Sequence, residues 1–147
     1  MNIYTIGFTK KSARDFFELL LENNIKKIID IRLRNNSQLA GFAKAKDLKY
    51  FLEEIGDIAY IHKPEFAPSK ELLNSWRNDE ITWKEYEKIY LNDLKNKVDF
   101  NKLEIDIFDN SCLLCSENLP EKCHRRLLAE FIDKKSPEKV QIHHLKV

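Results

Sequence analysis

Between Cys112 and Arg126 the chain reads CLLCSENLPEKCHRR, which places three thiols, an imidazole, two carboxylates and two guanidiniums in one short stretch. Cysteine does chemistry as a thiolate, either as a nucleophile or as a ligand for a soft metal, and cationic neighbours or a helix N-terminus favour that form. Three uses compete. A zinc site would draw on Cys112, Cys115, Cys123 and His124. If Ser111 to Cys115 is a strand, however, Cys112 and Cys115 face opposite sides of a sheet, and the spacing to Cys123 matches no common zinc knuckle. The same geometry stands against a thioredoxin-like C-x-x-C. No metal ligands are therefore assigned.

The second use makes Cys115 or Cys123 a reactive thiolate. Cys123 is expected in the first turn of a helix opened by Pro120, where unpaired amides favour an anion. Helical spacing sets His124 in line with Leu127, Leu128 and Phe131, on the packed face, as an acid/base group. Arg125 then lies at the flank as an anion clamp, Arg126 points to water, and Glu117 joins the catalytic set. The third use is structural, with inert core thiols, a satisfied histidine and Glu117 as a helix cap.

A second constellation lies upstream. In KIIDIRL (Lys27 to Leu33), Ile28, Asp30 and Arg32 share one face of an expected strand. Buried charge is costly unless paired, so Asp30 and Arg32 either form an ion pair that fixes the following loop or present Arg32 to an anionic ligand, with Asp30 orienting it or His124. The polar loop after it, including Arg34, Asn35, Ser37 and Gln38, offers hydrogen-bonding groups. Gly7 and Thr9, after the first strand, can let the backbone approach a phosphate, although one glycine is no dinucleotide fingerprint.

The elements that must position these residues follow from periodicity. Short β-branched runs at Ile3 to Ile6, Lys27 to Leu33, Asp57 to His62, Ser111 to Cys115 and Val140 to Val147 read as strands. Helices are expected after Ser12, around Leu48 to Ile55, from Ser69 to Trp76, after Thr82 and from Pro120 to about Lys134; Asp99 to Asp109 is ambiguous. The stripe Trp83, Tyr86, Tyr90 reads as core at helical spacing. Strands alternating with helices imply an α/β domain spanning residues 1–147, a single three-layer unit with a central, mostly parallel sheet and helices on both faces. Ligands of such sheets bind outside the carboxyl ends of the strands.

Composition excludes several classes. The 147 residues are 43% hydrophobic and 33% charged, with nine Phe and two Trp, which is globular and not disordered. The net charge of +1 gives no long-range attraction to polyanions, which leaves only a local basic patch for nucleic acid. No apolar run is long enough to span a bilayer and no secretory layout is found, so the expected location is cytoplasmic.

The segments YTIGFTKKSARDFFELL, IIDIRLRNNSQLAGF and LLCSENLPEKCHRRLLAEF together resemble DUF488, a family of bacterial and archaeal proteins of unknown function, from Tyr4 to about Phe131. Its pattern falls on Tyr4–Gly7, on Asp30, Ile31 and Arg32, on Cys115 and Glu117, and on Cys123, His124 and Arg125. Phe8 stands where many members carry histidine. The resemblance implies one α/β domain and an enzymatic role with no named substrate. A more distant, fold-level likeness is to rhodanese-type sulfurtransferases, but this chain lacks their cysteine loop, with Glu121 six residues after Cys115.

The resulting expectation is a cysteine-containing enzyme acting on a small anionic molecule or nucleotide. Cys115, Cys123, His124 and Glu117 are its catalytic candidates, and Gly7, Thr9, Asp30, Arg32, Ser37 and Arg125 contact the ligand. The alternative is a non-catalytic nucleotide or nucleic-acid binding module that uses the same arginines. No cofactor and no oligomeric state is assigned.

Overall fold

The computed structural model describes residues 1–35, 41–117 and 119–147, without the side chains of residues 102 and 103. Strand β1 (Asn2–Gly7) leads to helix α1 (Ala13–Glu22), whose N-cap Ser12 accepts the Asp15 amide at 3.1 Å. Strand β2 (Lys27–Asp30) follows, then α2 (Ala45–Gly56) and β3 (Ala59–His62). Asp57, expected to open β3, instead caps α2 in the left-handed region at φ 52°.

Helix α3 (Lys70–Arg77) is capped by Ser69, and α4 (Trp83–Lys97) by a reciprocal box of Thr82 and Glu85. The ambiguous segment holds a short helix, α5 (Lys102–Asp106), before β4 (Ser111–Cys115). Helix α6 (His124–Lys135) begins four residues later than the Pro120 signal suggested, and β5 (Gln141–His144) closes the chain.

The five strands form one parallel sheet in the order β3-β2-β4-β1-β5. Because side chains alternate along each strand, the sheet carries two cores. Ile6, Phe8, Ile28, Cys112 and Leu114 pack against Phe16, Phe17 and Leu20 of α1 and Leu48 and Leu52 of α2. On the opposite face Ile3, Ile29, Leu113 and Cys115 pack against Leu72 of α3, Tyr90 and Leu94 of α4, and Leu128 and Ile132 of α6. The protein is thus a single α/β domain with helices on both faces. Among the described residues no helix is long and apolar enough to cross a membrane.

The order positions the site. Central β4 lies between β1 and β2, whose onward helices pack on the α1/α2 face, whereas β4 continues into α6 on the other face. A crevice opens outside the carboxyl ends of strands that diverge in this way. Leu113, fully buried at the middle of β4, tests the packing. Leu113→Ala is expected to cost about 2–5 kcal/mol in urea unfolding, and a loss under about 1 kcal/mol would contradict this core.

Candidate functional site

Register brings the strand ends to one level: Gly7 pairs with Cys115, and Asp30 pairs with Leu114 on one side and His62 on the other. Over this edge lies a cleft of about 1040 Å³, at the upper end of the roughly 300–1,000 Å³ usual for small-molecule sites. The DIR segment and the CHR turn both line it, through Arg32 and through Cys123 and His124.

Asp30 and Arg32 form a buried bidentate pair, with Arg32 Nε and Nη2 donating to the carboxylate at 2.8 and 2.7 Å. The carboxylate also accepts from the Arg32 amide and from the Tyr60 hydroxyl at 2.6 Å. With four donors on it, Asp30 is a structural anchor. It holds Arg32, as both expectations allowed, and its described hydrogen bonds include none to His124. Its proton demand and burial raise the Tyr60 pKa to about 12, burial being the larger cause. Arg32 also donates to the Ala43 carbonyl at 2.8 Å and lies over the Phe8 ring. Among the described residues, Arg32 Nη1 is the buried side-chain nitrogen or oxygen that has no hydrogen-bond partner. A cation edge that is desolvated and unsatisfied favours an incoming acceptor.

Two other expected ligand contacts have internal duties. Arg125 is fully buried; its Nε donates to Thr5 Oγ1 at 3.2 Å, and its Nη1 to Cys115 Sγ at 3.2 Å and to the Glu117 carbonyl. It therefore ties β1, β4 and the β4–α6 connection together, and it is not among the described residues that line the cleft. Burial lowers its pKa to about 10, which leaves it charged at neutral pH. Gly7 makes room for this arrangement. A Cβ there would overlap the Glu117 carbonyl oxygen and stand 2.8 Å from Arg125 Nη1, so the space a side chain would need is taken by the protein's own chain. Thr9 does reach the cleft, while its hydroxyl donates to the Ser116 carbonyl at 2.7 Å.

The thiols divide as alternation requires. Cys112 is sealed on the α1/α2 face, where burial pushes its pKa up, whereas Cys115 and Cys123 meet on the cleft side. Cys123 is the N-cap of α6 and not a residue of its first turn. The sulfurs of Cys115 and Cys123 are paired, where separate thiols were expected, with their Cα atoms 7.7 Å apart. Disulfides usually span about 4.4–6.8 Å between Cα atoms, so the backbone here aims two sulfurs at one point without the frame of a structural bridge. His124 Nε2 lies 2.8 Å from the Ile31 carbonyl. A carbonyl only accepts, so Nε2 carries the hydrogen. Burial lowers the imidazole pKa to about 4, and the neutral ring leaves Nδ1 as an acceptor 3.9 Å from Cys123 Sγ. Ile31, not Asp30, orients this ring. Glu117 is exposed at the cleft, and Ser37 lies outside the described residues.

The cleft wall comes from α3 and α4, which carried no functional expectation. Lys70 and Arg77 of α3, with Arg32, Arg34 and Lys122, set five cations against one carboxylate, Glu117, among the described lining residues. Between them stand Trp76, Trp83 and Tyr86, the last two stacked with centroids 4.6 Å apart. The core reading of the aromatic stripe holds for Tyr86 and Tyr90, both buried, but Trp83 is half-buried and, like Trp76, borders the cavity. The available signal was the position of α3, directly after the carboxyl end of β3.

Two substitutions test these anchors. Asp30→Ala strands a buried guanidinium and a phenol, and is expected to cost about 3–5 kcal/mol in denaturant unfolding; near-neutral stability would contradict the buried pair. Gly7→Ala must displace the Glu117 carbonyl, so a stability loss of about 1–3 kcal/mol or more is expected, and an unchanged melting temperature would contradict the close approach.

A family model described as "Domain of unknown function DUF488" matches residues 12–132, which takes in the Asp30–Arg32 segment and the whole Cys115–Arg125 segment. No curated protein and no solved structure matches the chain. With the family model covering most of its length and the motif residues meeting at one cleft, the chain belongs to the DUF488 family.

Proposed function

We propose that the protein is an enzyme acting on a small anionic molecule that carries a planar ring, a nucleotide being the class that fits, with its chemistry at Cys115, Cys123 and His124. One observation carries this reading: a single cleft joins those three residues to an excess of cations and to aromatic faces. Cations in a concave, partly desolvated site hold phosphate or carboxylate groups, and the partnerless Nη1 of Arg32 supplies one donor that protein does not satisfy. Half-buried indole rings accept a flat apolar ring by stacking. Lys122 Nζ lies 5.9 Å from the Trp76 ring centre, which places charge beside the aromatic surface as a ring-plus-phosphate ligand requires.

In this scheme Lys70, Arg77 and Lys122 orient the anionic group, and the reacting part of the ligand is directed to the cleft floor. His124, neutral and held by Ile31, offers Nδ1 to the adjacent thiol as a proton acceptor. Arg125 and the N-terminus of α6 favour the thiolate form of the cysteines they touch.

The near-complete burial of Cys115 and Cys123, 1% and 2% exposed, favours a second reading in which the same cations bind a nucleotide or nucleic-acid fragment and no reaction follows. The two are separated by combining binding with labelling. Both readings expect nucleoside monophosphates to raise the melting temperature, and the double variant Lys70→Glu with Arg77→Glu, at exposed positions, to weaken binding about tenfold or more, equivalent to about 1.4 kcal/mol. The enzyme reading adds that a small electrophile alkylates reduced native protein at Cys115 or Cys123, and that bound nucleotide slows this. Nucleotide binding with no labelable thiol would leave the binding module. Absence of binding by any nucleotide or polyanion would contradict both.

A further inference from the structure

We propose that Cys115, Cys123 and His124 form a zinc site of two thiolates and one imidazole, with its fourth position open to the cleft. Among the described residues, these are the one group of three or more histidine, cysteine or acidic side chains that could share an ion, their ligand atoms all lying within 4.8 Å of one another. The proposal rests on the reading that the cleft floor is the reactive end of the site and names the cofactor of that floor; in the metal-bound form His124 Nδ1 and the two sulfurs are ligands, and Nδ1 does not serve as the base of the thiol.

Donor placement is the first argument. Cys115 is the last residue of β4, Cys123 the N-cap of α6 and His124 its first residue, so regular structure fixes all three. The two sulfurs converge although their Cα atoms are 7.7 Å apart, beyond the roughly 4.4–6.8 Å that suits a disulfide. A shared cation explains why two thiols and an imidazole are aimed at one point. Soft thiolate and imidazole donors in a set of this size suit zinc, and hard cations that prefer oxygen ligands do not compete for it.

The outer shell is the second argument. Metal-binding histidines commonly donate their other ring hydrogen to a carbonyl, which fixes the tautomer and the ring's direction. His124 does this through Nε2 to the Ile31 carbonyl, which leaves Nδ1 on the side of Cys123. Cys115 Sγ receives a hydrogen bond from buried Arg125 Nη1 at 3.2 Å, a contact that stabilises a coordinated thiolate. Cys123 lies at the N-terminus of a twelve-residue helix, where the dipole favours negative charge.

Access is the third argument. All three residues border the cleft, and sites with three protein ligands keep the fourth position for water or substrate, whereas structural zinc sites are closed by four protein ligands. Cys112, the natural fourth thiol in the sequence, is on the other face of the sheet. Two thiolates balance the charge of the ion, so the cleft keeps its excess of cations for an anionic ligand. Binding releases the two thiol protons to solvent and involves no electron transfer.

The test uses the full-length protein, reduced and purified without chelator. Elemental analysis is expected to find about one zinc per chain. Cobalt(II) added to chelator-stripped protein is expected to give thiolate-to-metal charge transfer and the visible bands of a tetrahedral ion. Cys115→Ser, Cys123→Ser and His124→Ala should each lower metal content about tenfold or more, while Cys112→Ser keeps it. Absence of zinc and of the cobalt spectrum in the reduced wild type overturns the site, as does a Cys115–Cys123 disulfide that survives reductant. Retention of metal in any one of the three folded variants overturns the three-ligand assignment. If a variant fails to fold, the wild-type cobalt spectrum decides. Titration of the same preparations with a nucleoside monophosphate separates the two readings: nucleotide binding by a reduced wild type that holds no zinc and gives no cobalt spectrum overturns the zinc site alone, and metal uptake without nucleotide binding overturns the ligand reading alone.

Discussion

A buried guanidinium organises the top of this domain. Arg125 has no exposed surface, and burying its charge is tolerable only because its donors are met by Thr5 on β1, by Cys115 at the end of β4 and by the Glu117 carbonyl. Those contacts draw the β4–α6 connection back over the end of β1. The carbonyl passes so close that position 7 has no room for a side chain. Once the connection is folded back, Cys123 and His124 must emerge beside Cys115, so the positions of the chemical groups follow from where one charge is satisfied.

The second buried charge works from the opposite face of the sheet. Asp30 and Arg32 project towards the α1/α2 layer, and their pair fixes the exit of β2. Ile31, between them, points the other way and uses its carbonyl to hold His124. Three successive residues thus serve both layers: the side chains at the even positions anchor the loop, and the backbone carbonyl between them orients the imidazole. A cleft whose floor is set by these two buried guanidiniums is preorganised, and binding there need not bear the cost of ordering the floor.

Much of this was legible in the chain. Strand alternation placed Cys112 and Cys115 on opposite faces, and the rule for parallel sheets placed the DIR and CHR segments at one edge. The role of Arg125 was missed, although Leu128, Ala129 and Ile132 follow it at helical spacing and all are buried; its own stripe marked it as a core residue. Proline at 120 is a helix-start signal, but the helix begins only at His124, because Arg125 and the Glu117 carbonyl hold the intervening turn against the sheet. The basic and aromatic wall escaped notice for a different reason. Lys70, Arg77, Trp76 and Trp83 are unremarkable within their own helices, and only the packing of α3 beside α4 brings them over the strand ends.

The most direct test of a shared anion-binding cleft is a crystal structure of the reduced protein soaked with a nucleoside monophosphate. Density for the phosphate within hydrogen-bonding reach of Arg32 Nη1, Arg34 or Lys70, with the base against Trp76 or Trp83, is the predicted result. A nucleotide bound elsewhere on the surface, or a cleft filled by the protein's own side chains, would contradict it.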